Sequence, residues 1–312
     1  MSSNLHSVLM IRPCNFRVNQ ETLENNFFQT KSIQLENDFI LNQAIIEFDS
    51  LVKKMKASGI NVLVYQDDFK HDTPDSIFPN NWVTFHKDKK IAIYPMFAEN
   101  RRLERSENVI VFLEENNVKI NEVIDYSEAE KNNFFLEGTG SMVLDRINKK
   151  TYCSISERTS ENLIDEFCSD FNYMPIIFNS FHTVDSKRQK IYHTNVMMCV
   201  GKKFAVICLD SIDNKNERNK VIQSLEDDNK EIIIISEDQL NSFAGNMIEL
   251  IVNKNSFLIM SQIAYNSLNK NQIKRLKIFF LEQENYTPAL EIKNSQNENN
   301  FPNNFESIKY PD

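Results

Sequence analysis

Glycine and tryptophan are scarce in this sequence: its 312 residues include 5 Gly and 1 Trp, against 40 Asn. Many Asn with few Gly reads as the bias of an AT-rich genome, so a single Asn carries little information. Each Gly carries more, because glycine resists such a bias where a turn or a close backbone approach requires it. Long apolar runs are missing as well: none reaches the ~18–20 residues that span a bilayer. The opening MSSNLHSVLMIRP has neither the basic start nor the apolar core of a signal peptide. Five cysteines, Cys14, Cys153, Cys168, Cys199 and Cys208, form no CxxC or CxxH pair, which excludes a disulfide framework and a cysteine zinc site. The five His lack metal spacing, so neither a metal nor a cofactor is expected. A basic surplus is absent too. The net charge of −9 and pI near 5.2 argue against nucleic acid and against an anionic membrane as partners. The expected setting is a reducing cytoplasm.

What is present is enough for a core: 41% hydrophobic residues, 23 of them Phe. Short strand-like runs recur at Ser7–Ile11, Asn61–Tyr65, Ile91–Tyr94, Val109–Phe112, Ser141–Leu144, Thr151–Ile155, Ile176–Phe178, Thr194–Val200, Phe204–Cys208, Glu231–Ile235, Met247–Ile251 and Phe257–Met260. Between them, Glu36–Ser58, Glu157–Asn172 and Gln262–Glu282 carry apolar residues at steps of three and four, the mark of amphipathic helices. Roughly a dozen strands interleaved with helices suit repeated small α/β modules better than an eight-stranded barrel or a plain doubly wound sheet. No Pro/Gly/Ser linker divides the chain, so a single α/β domain over 1–291 is expected. Residues 292–312 read as a divergent polar tail.

Three polar clusters sit where strands end. Asp72-Thr-Pro-Asp75-Ser-Ile-Phe-Pro-Asn-Asn81-Trp82 has the composition of a turn. Glu137-Gly-Thr-Gly-Ser141 holds two of the five Gly; its GxG is a weak phosphate signal with no Lys after it. The remaining readings are a hairpin turn or a backbone bent to present Glu137. Ile191-Tyr-His193-Thr-Asn195-Val-Met-Met198 places a His beside a strand, most often a structural residue. Acid plus His is also the pair that general-base chemistry needs.

Taken together these clusters resemble a family. Met10-Ile-Arg-Pro13, Phe78-Pro-Asn-Asn-Trp82, Glu137-Gly-Thr-Gly-Ser141, His193-Thr-Asn-Val-Met-Met198, Ala244-Gly-Asn-Met247 and Ser261-Gln-Ile-Ala-Tyr265 follow the order of the guanidine-modifying (arginine deiminase/amidinotransferase) superfamily. The nearest branch is its citrulline-utilisation hydrolases, and the resemblance runs over about residues 7–290. It implies a five-bladed α/β propeller, pentein-like, and a small amino acid with a ureido or guanidino group as partner. In such enzymes a Cys thiolate attacks the central carbon of that group, and a His protonates the leaving amine and activates water. The resemblance makes His193 that His and Glu137 an acid of the site, with Asp75 among the substrate-binding residues. Arg12, or Arg17, is a candidate for the substrate carboxylate.

Two positions bear on the substrate. Arginine deiminases of this superfamily carry Asp where Asn81 and Asn195 align. A guanidinium offers only donors and a charge and calls for carboxylates, whereas a ureido group adds a carbonyl acceptor and suits Asn. The pair therefore favours citrulline. The resemblance fails at the C-terminus. Pro288-Ala-Leu-Glu291 matches, but the Gly-rich segment that should carry the nucleophilic Cys is replaced by Lys293-Asn-Ser-Gln-Asn-Glu-Asn-Asn300, and no Cys follows Cys208. The expectation is a relative of citrulline hydrolases that is inactive as written, through a lesion near residue 292. The alternatives are a pseudoenzyme that binds citrulline or arginine, or an arginine deiminase-like hydrolase with another nucleophile. Cys14 and Cys199 are poor substitutes, both expected to be buried structural thiols.

Overall fold

The structure, a computed structural model, describes residues 7–23, 25–29, 37–252 and 255–280. The 288–291 motif and the polar tail 292–312 lie outside the described residues. The described chain groups into two compact units that divide at residues 133 and 134.

The first unit opens with β1 (Ser7–Arg12), α1 (Asn37–Ala57) and β2 (Asn61–Gln66). The two strands are parallel, with Ser7 opposite Asn61 and Arg12 opposite Gln66. Parallel strands cannot be joined by a hairpin, so α1 makes the crossover. It buries Ile40, Ala44, Phe48, Leu51 and Met55, the stripe expected from the spacing. Burying a side chain like Phe48 contributes ~2–3 kcal/mol. Past the end of α1 the chain turns at Gly59, whose φ of 81° lies in the left-handed region.

The unit continues through β3 (Val83–His86), β4 (Lys90–Ile93), α2 (Glu99–Arg102), α3 (Glu107–Glu115) and β5 (Glu122–Asp125). β3 and β4 form an antiparallel hairpin turned at Asp88 and Lys89, both at positive φ, and β5 runs parallel to β4. Val109–Phe112, expected as a strand, lies inside α3. Its Val-Ile-Val run favours extended backbone, but the Ser106 side chain accepts from the Asn108 N–H and starts a helix. That helix buries Val109 and Leu113 four residues apart, in one core with Leu9, Ile11, Trp82, Val83, Phe85 and Met96.

The second unit repeats the plan. It holds α4 (Gly138–Ser141), β6 (Met142–Asp145), β7 (Lys150–Ser154), α5 (Glu161–Phe171), β8 (Met174–Phe178) and the hairpin β9 (Phe181–Val184) with β10 (Lys187–Lys190). Then come α6 (Thr194–Met197), β11 (Met198–Val200), β12 (Phe204–Ile207), α7 (Lys215–Asp227), β13 (Glu231–Ile234), α8 (Glu237–Asn241), β14 (Ile248–Val252), β15 (Asn255–Ile259), α9 (Gln262–Ser267) and α10 (Lys270–Ile278). The sheets β3-β4-β5, β6-β7-β8 and β11-β12-β13 share one order: an antiparallel pair, a crossover helix, then a parallel third strand. β14 and β15 form the antiparallel pair of the same plan, and β1 and β2 its parallel pair. This is the α/β fold with repeated small modules that the strand count suggested.

Two more expected elements differ. Thr194–Val200 is not a continuous strand, because Thr194–Met197 is one turn of helix before β11. Gln262–Glu282 is not one helix: Asn269 caps a fresh start with Gln272 in a reciprocal capping box. Between modules of the second unit two ion pairs cross, one partly and one fully buried. Lys150 Nζ lies 2.8 Å from Asp228 Oδ2, and Lys230 Nζ lies 2.8 Å from Asp145 Oδ2. Burial alone would raise Asp145, but hydrogen bonds from Lys230 and Asn148 outweigh it, and its carboxyl sits below its ordinary value.

Candidate active site

A short helical turn precedes the first strand of each three-stranded sheet: Pro79–Asn81 before β3, α4 before β6, α6 before β11. Four of the expected site residues lie on or directly before these turns: Asn81 in the first unit, and Glu137, His193 and Asn195 in the second. Glu137 caps α4 and His193 caps α6, each five residues ahead of the first residue of its strand (137 to 142, 193 to 198). Gly138 follows at φ 41°, a conformation that favours glycine over a residue with a Cβ, so the backbone bends immediately after the acid. Both side chains are buried, and His193 Nε2 lies 2.7 Å from Glu137 Oε2. With Glu137 ionised the carboxylate only accepts, and Nε2 is then the donor in this bond.

Arg158, which the sequence reading missed, joins them. It is buried, its Nη1 donates to the same Glu137 Oε2 at 3.4 Å, and its guanidinium lies 4.7 Å from the Tyr192 ring centroid. The available signal was a fourth polar strand end, Ser154 to Ser160 at the end of β7, with one Arg in it. The Ala244-Gly-Asn-Met247 motif also finds a reason. A Cβ on Gly245 would lie 2.6 Å from the Met197 carbonyl carbon and the Val196 oxygen, so only glycine lets this turn seat against α6. From there Asn246 Nδ2 donates to the Asn195 carbonyl at 3.4 Å. Asn195 itself is half-buried on α6, two residues after His193.

In the first unit, Asn81 and Asp75 meet around a second buried arginine that the sequence reading missed. Arg101 donates from Nη1 to Asn81 Oδ1 at 2.8 Å and makes a two-pronged contact with Glu104, 2.9 Å from Nε and 3.0 Å from Nη2. Asp75 Oδ2 accepts from Asn19 Nδ2 at 2.7 Å and lies 3.8 Å from Arg101 Nε. Because a guanidinium can only donate, Asn81 must turn its oxygen to Arg101, and its buried Nδ2 has no partner among the described residues. Arg12 is engaged otherwise: its guanidinium grips Asp49 at 2.8 and 2.9 Å and also donates to Gln66. Arg17 likewise pairs with Asp72. A cavity of about 310 Å³ between the 67–76 segment and the start of α3 is lined by Asp67, Asp68 and Glu104, but by neither Asn81 nor Arg101.

All five cysteines are buried and none is in a disulfide. Burial, reinforced by Asp67, pushes the Cys14 thiol up to about 12; burial also pushes Cys168 up to about 12 and raises Cys153 and Cys208. Cys14 donates its thiol to the Asp68 carbonyl. These are the surroundings of inert thiols rather than of nucleophiles. Among the described residues no three His, Cys, Asp or Glu side chains are grouped to hold a metal, and no helix is long and apolar enough to cross a membrane.

The family model described as "N,N dimethylarginine dimethylhydrolase, eukaryotic" matches residues 12–282. No curated protein matches by sequence. Among solved structures, the chain is similar to the N-terminal domain of ArgZ, an arginine dihydrolase of the ornithine-ammonia cycle in cyanobacteria, captured as a Cys-to-Ser mutant with substrate. Identity there is 16% with a TM-score of 0.63, over 88% of both chains. It is similar to a Cys-to-Ala mutant of AgrE in binary complex with L-arginine, at 14% identity and a TM-score of 0.64, over 88% of this chain and 36% of that one. It is also similar to a dimethylarginine dimethylaminohydrolase adduct with S-methyl-L-thiocitrulline, at 11% identity and a TM-score of 0.54, over 88% of this chain and 89% of that one. The chain spans 35% of the full-length ArgZ chain. At such identities the likeness is one of fold.

Proposed function

The chain belongs to the N,N dimethylarginine dimethylhydrolase family, within the guanidine-modifying superfamily, and from that premise we propose that it holds citrulline without turning it over. In this reading Glu137 and His193 are the acid–base pair that a hydrolase of the family would use. Asn81, Asn195 and Asp75 read the ligand's polar atoms. Arg12 is the weakest of the sequence candidates, since Asp49 already occupies its guanidinium. The architecture is taken as a five-bladed α/β propeller, supported by five occurrences of one strand plan, two of them in part.

The observation that carries the ureido preference is the Asn81 amide. Its oxygen is committed to Arg101, which leaves a buried N–H donor. A ureido carbonyl can accept that bond; a guanidinium cannot, and a buried donor left without an acceptor costs about 1–3 kcal/mol. A guanidino ligand is the second reading, favoured by the L-arginine held by the structurally similar AgrE. Lack of turnover is supported by the thiols. A group with a pKa near 12 is thiolate on the order of 10⁻⁵ of the time at pH 7. Loss of the nucleophile in covalent enzymes lowers the rate by about 10⁴ or more.

Calorimetric titration with citrulline and with arginine tests the binding. Heat from citrulline at a concentration where arginine gives less is the expected result, and no heat from either would sink it. An ammonia assay with citrulline tests the rest: release that disappears in His193→Ala would overturn the claim of no turnover. Release equal in both proteins would mark a contaminant.

A further inference from the structure

We propose that Thr194 and Ser141 are positioning residues: the Thr194 hydroxyl ties the His193 turn to the Ser141 carbonyl of the Glu137 turn, the Ser141 hydroxyl fixes the Glu137 N–H within that turn, and together they set the Glu137–His193 contact. The functional weight of this rests on reading those two residues as the ligand-holding pair; the geometry and its test do not. The Glu137 N–H donates to Ser141 Oγ at 3.0 Å, and Ser141 Oγ donates to the Arg158 carbonyl at 2.7 Å. One hydroxyl therefore ties the backbone of the acid to the backbone of the arginine beside it. The Ser141 carbonyl accepts from Thr194 Oγ1 at 2.6 Å, and Thr194 Oγ1 accepts from the Ser154 N–H at 2.8 Å. Thr194 directly follows His193. Ser141 therefore joins the two sets of bonds, its hydroxyl on the backbone of Glu137 and its carbonyl on the neighbour of His193.

Each link is satisfied in both senses. The two hydroxyls use their single proton on a carbonyl and a lone pair on an N–H. Ser141, Ser154, Thr194 and Glu137 are all 0% exposed, so water cannot replace a lost link. The two turns are short, four residues each, and α4 and α6 are too brief to hold a rigid course alone. Their orientation depends on contacts between them, and the Thr194–Ser141 bond is a backbone-anchored polar one beside the Glu137–His193 contact itself.

The test needs neither ligand nor turnover, so its failure is separable from failure of the citrulline reading. In full-length protein with labelled histidine, the His193 Nε2–H signal is assigned by its loss in His193→Gln, and its exchange with water is measured beside that of the α5 core amides. Thr194→Val keeps the shape and removes the hydroxyl; Thr194→Ser keeps the hydroxyl. Exchange of the His193 N–H at least tenfold faster in Thr194→Val, with the α5 amides within twofold and Thr194→Ser like wild type, is the expected result. Exchange unchanged in Thr194→Val, or the N–H and the α5 amides quickened alike, would reduce Thr194 to an ordinary core residue and overturn the proposal. If Thr194→Val does not fold, Ser141→Ala is read by the same criteria, and an unchanged His193 N–H there overturns it equally.

Discussion

Arg101 in the first unit and Arg158 in the second are both 2% exposed, yet they are held in opposite ways. Arg101 sets two nitrogens on the two oxygens of Glu104 and a third on Asn81, a closed fork with short bonds. Arg158 Nη1 reaches Glu137 at 3.4 Å and the guanidinium rests its face on Tyr192, while the same carboxylate oxygen also takes His193 at 2.7 Å. A carboxylate consumed by one arginine is part of the frame. A carboxylate shared between a His and an Arg can redistribute its bonds when a third polar group arrives. On the proposed function, the difference separates the charge that builds the unit from the charge that would serve the ligand.

Breaking the fork should have the largest effect. Arg101→Met leaves Glu104 and Asp75 buried without their cation and should lower unfolding free energy by about 3–5 kcal/mol, read by urea titration. A loss under about 1 kcal/mol would mean that the fork is not structural. The crossed pairs of the second unit belong with the fork. Lys230→Met should cost toward the lower end of the same range at pH 7, since Asp145 keeps its bonds from Asn148.

The pH dependence carries its own sign. Asp145 sits below its ordinary value, so its contribution is complete above about pH 4 and is lost as pH falls through the folded value. Wild type should therefore lose stability on acidification, and Lys230→Met should lose less over the same window. A steeper acid loss in the variant would contradict the assignment.

The open arrangement predicts a smaller stability change with a larger functional one. Arg158→Met should cost about 1–3 kcal/mol, less than Arg101→Met, while weakening citrulline binding at least tenfold. Equal stability losses in the two variants would erase the contrast. Least of all should follow from Arg12→Ala, whose pair with Asp49 is half-exposed: about 0–1 kcal/mol, shrinking as salt is added.

Much of the frame was legible in the sequence because apolar spacing reports it directly. The stripe from Ile40 to Met55 and the short strand-like runs of β2, β7 and β12 need only local pattern. The Val-Ile-Val of α3 was misleading, since its cap at Ser106 and its burial four residues apart outweighed strand preference. The boundary near residue 133 has no Pro or Gly to mark it. At the site, Glu137 and His193 could be found because each sits in an unusual motif, and the structure brings them to 2.7 Å. Arg101 and Arg158 could not, because an arginine's burial is decided by partners far along the chain. Nor could the Thr194–Ser141 relay, which joins residues 53 apart.

The central claim is that Glu137, shared between His193 and Arg158, holds a ureido amino acid. Titrating citrulline into wild type and into Glu137→Gln by calorimetry tests it most directly. Binding heat in wild type, with affinity at least tenfold weaker in a Glu137→Gln protein that still unfolds cooperatively, is the predicted result. Equal citrulline affinity in the two proteins would contradict the account.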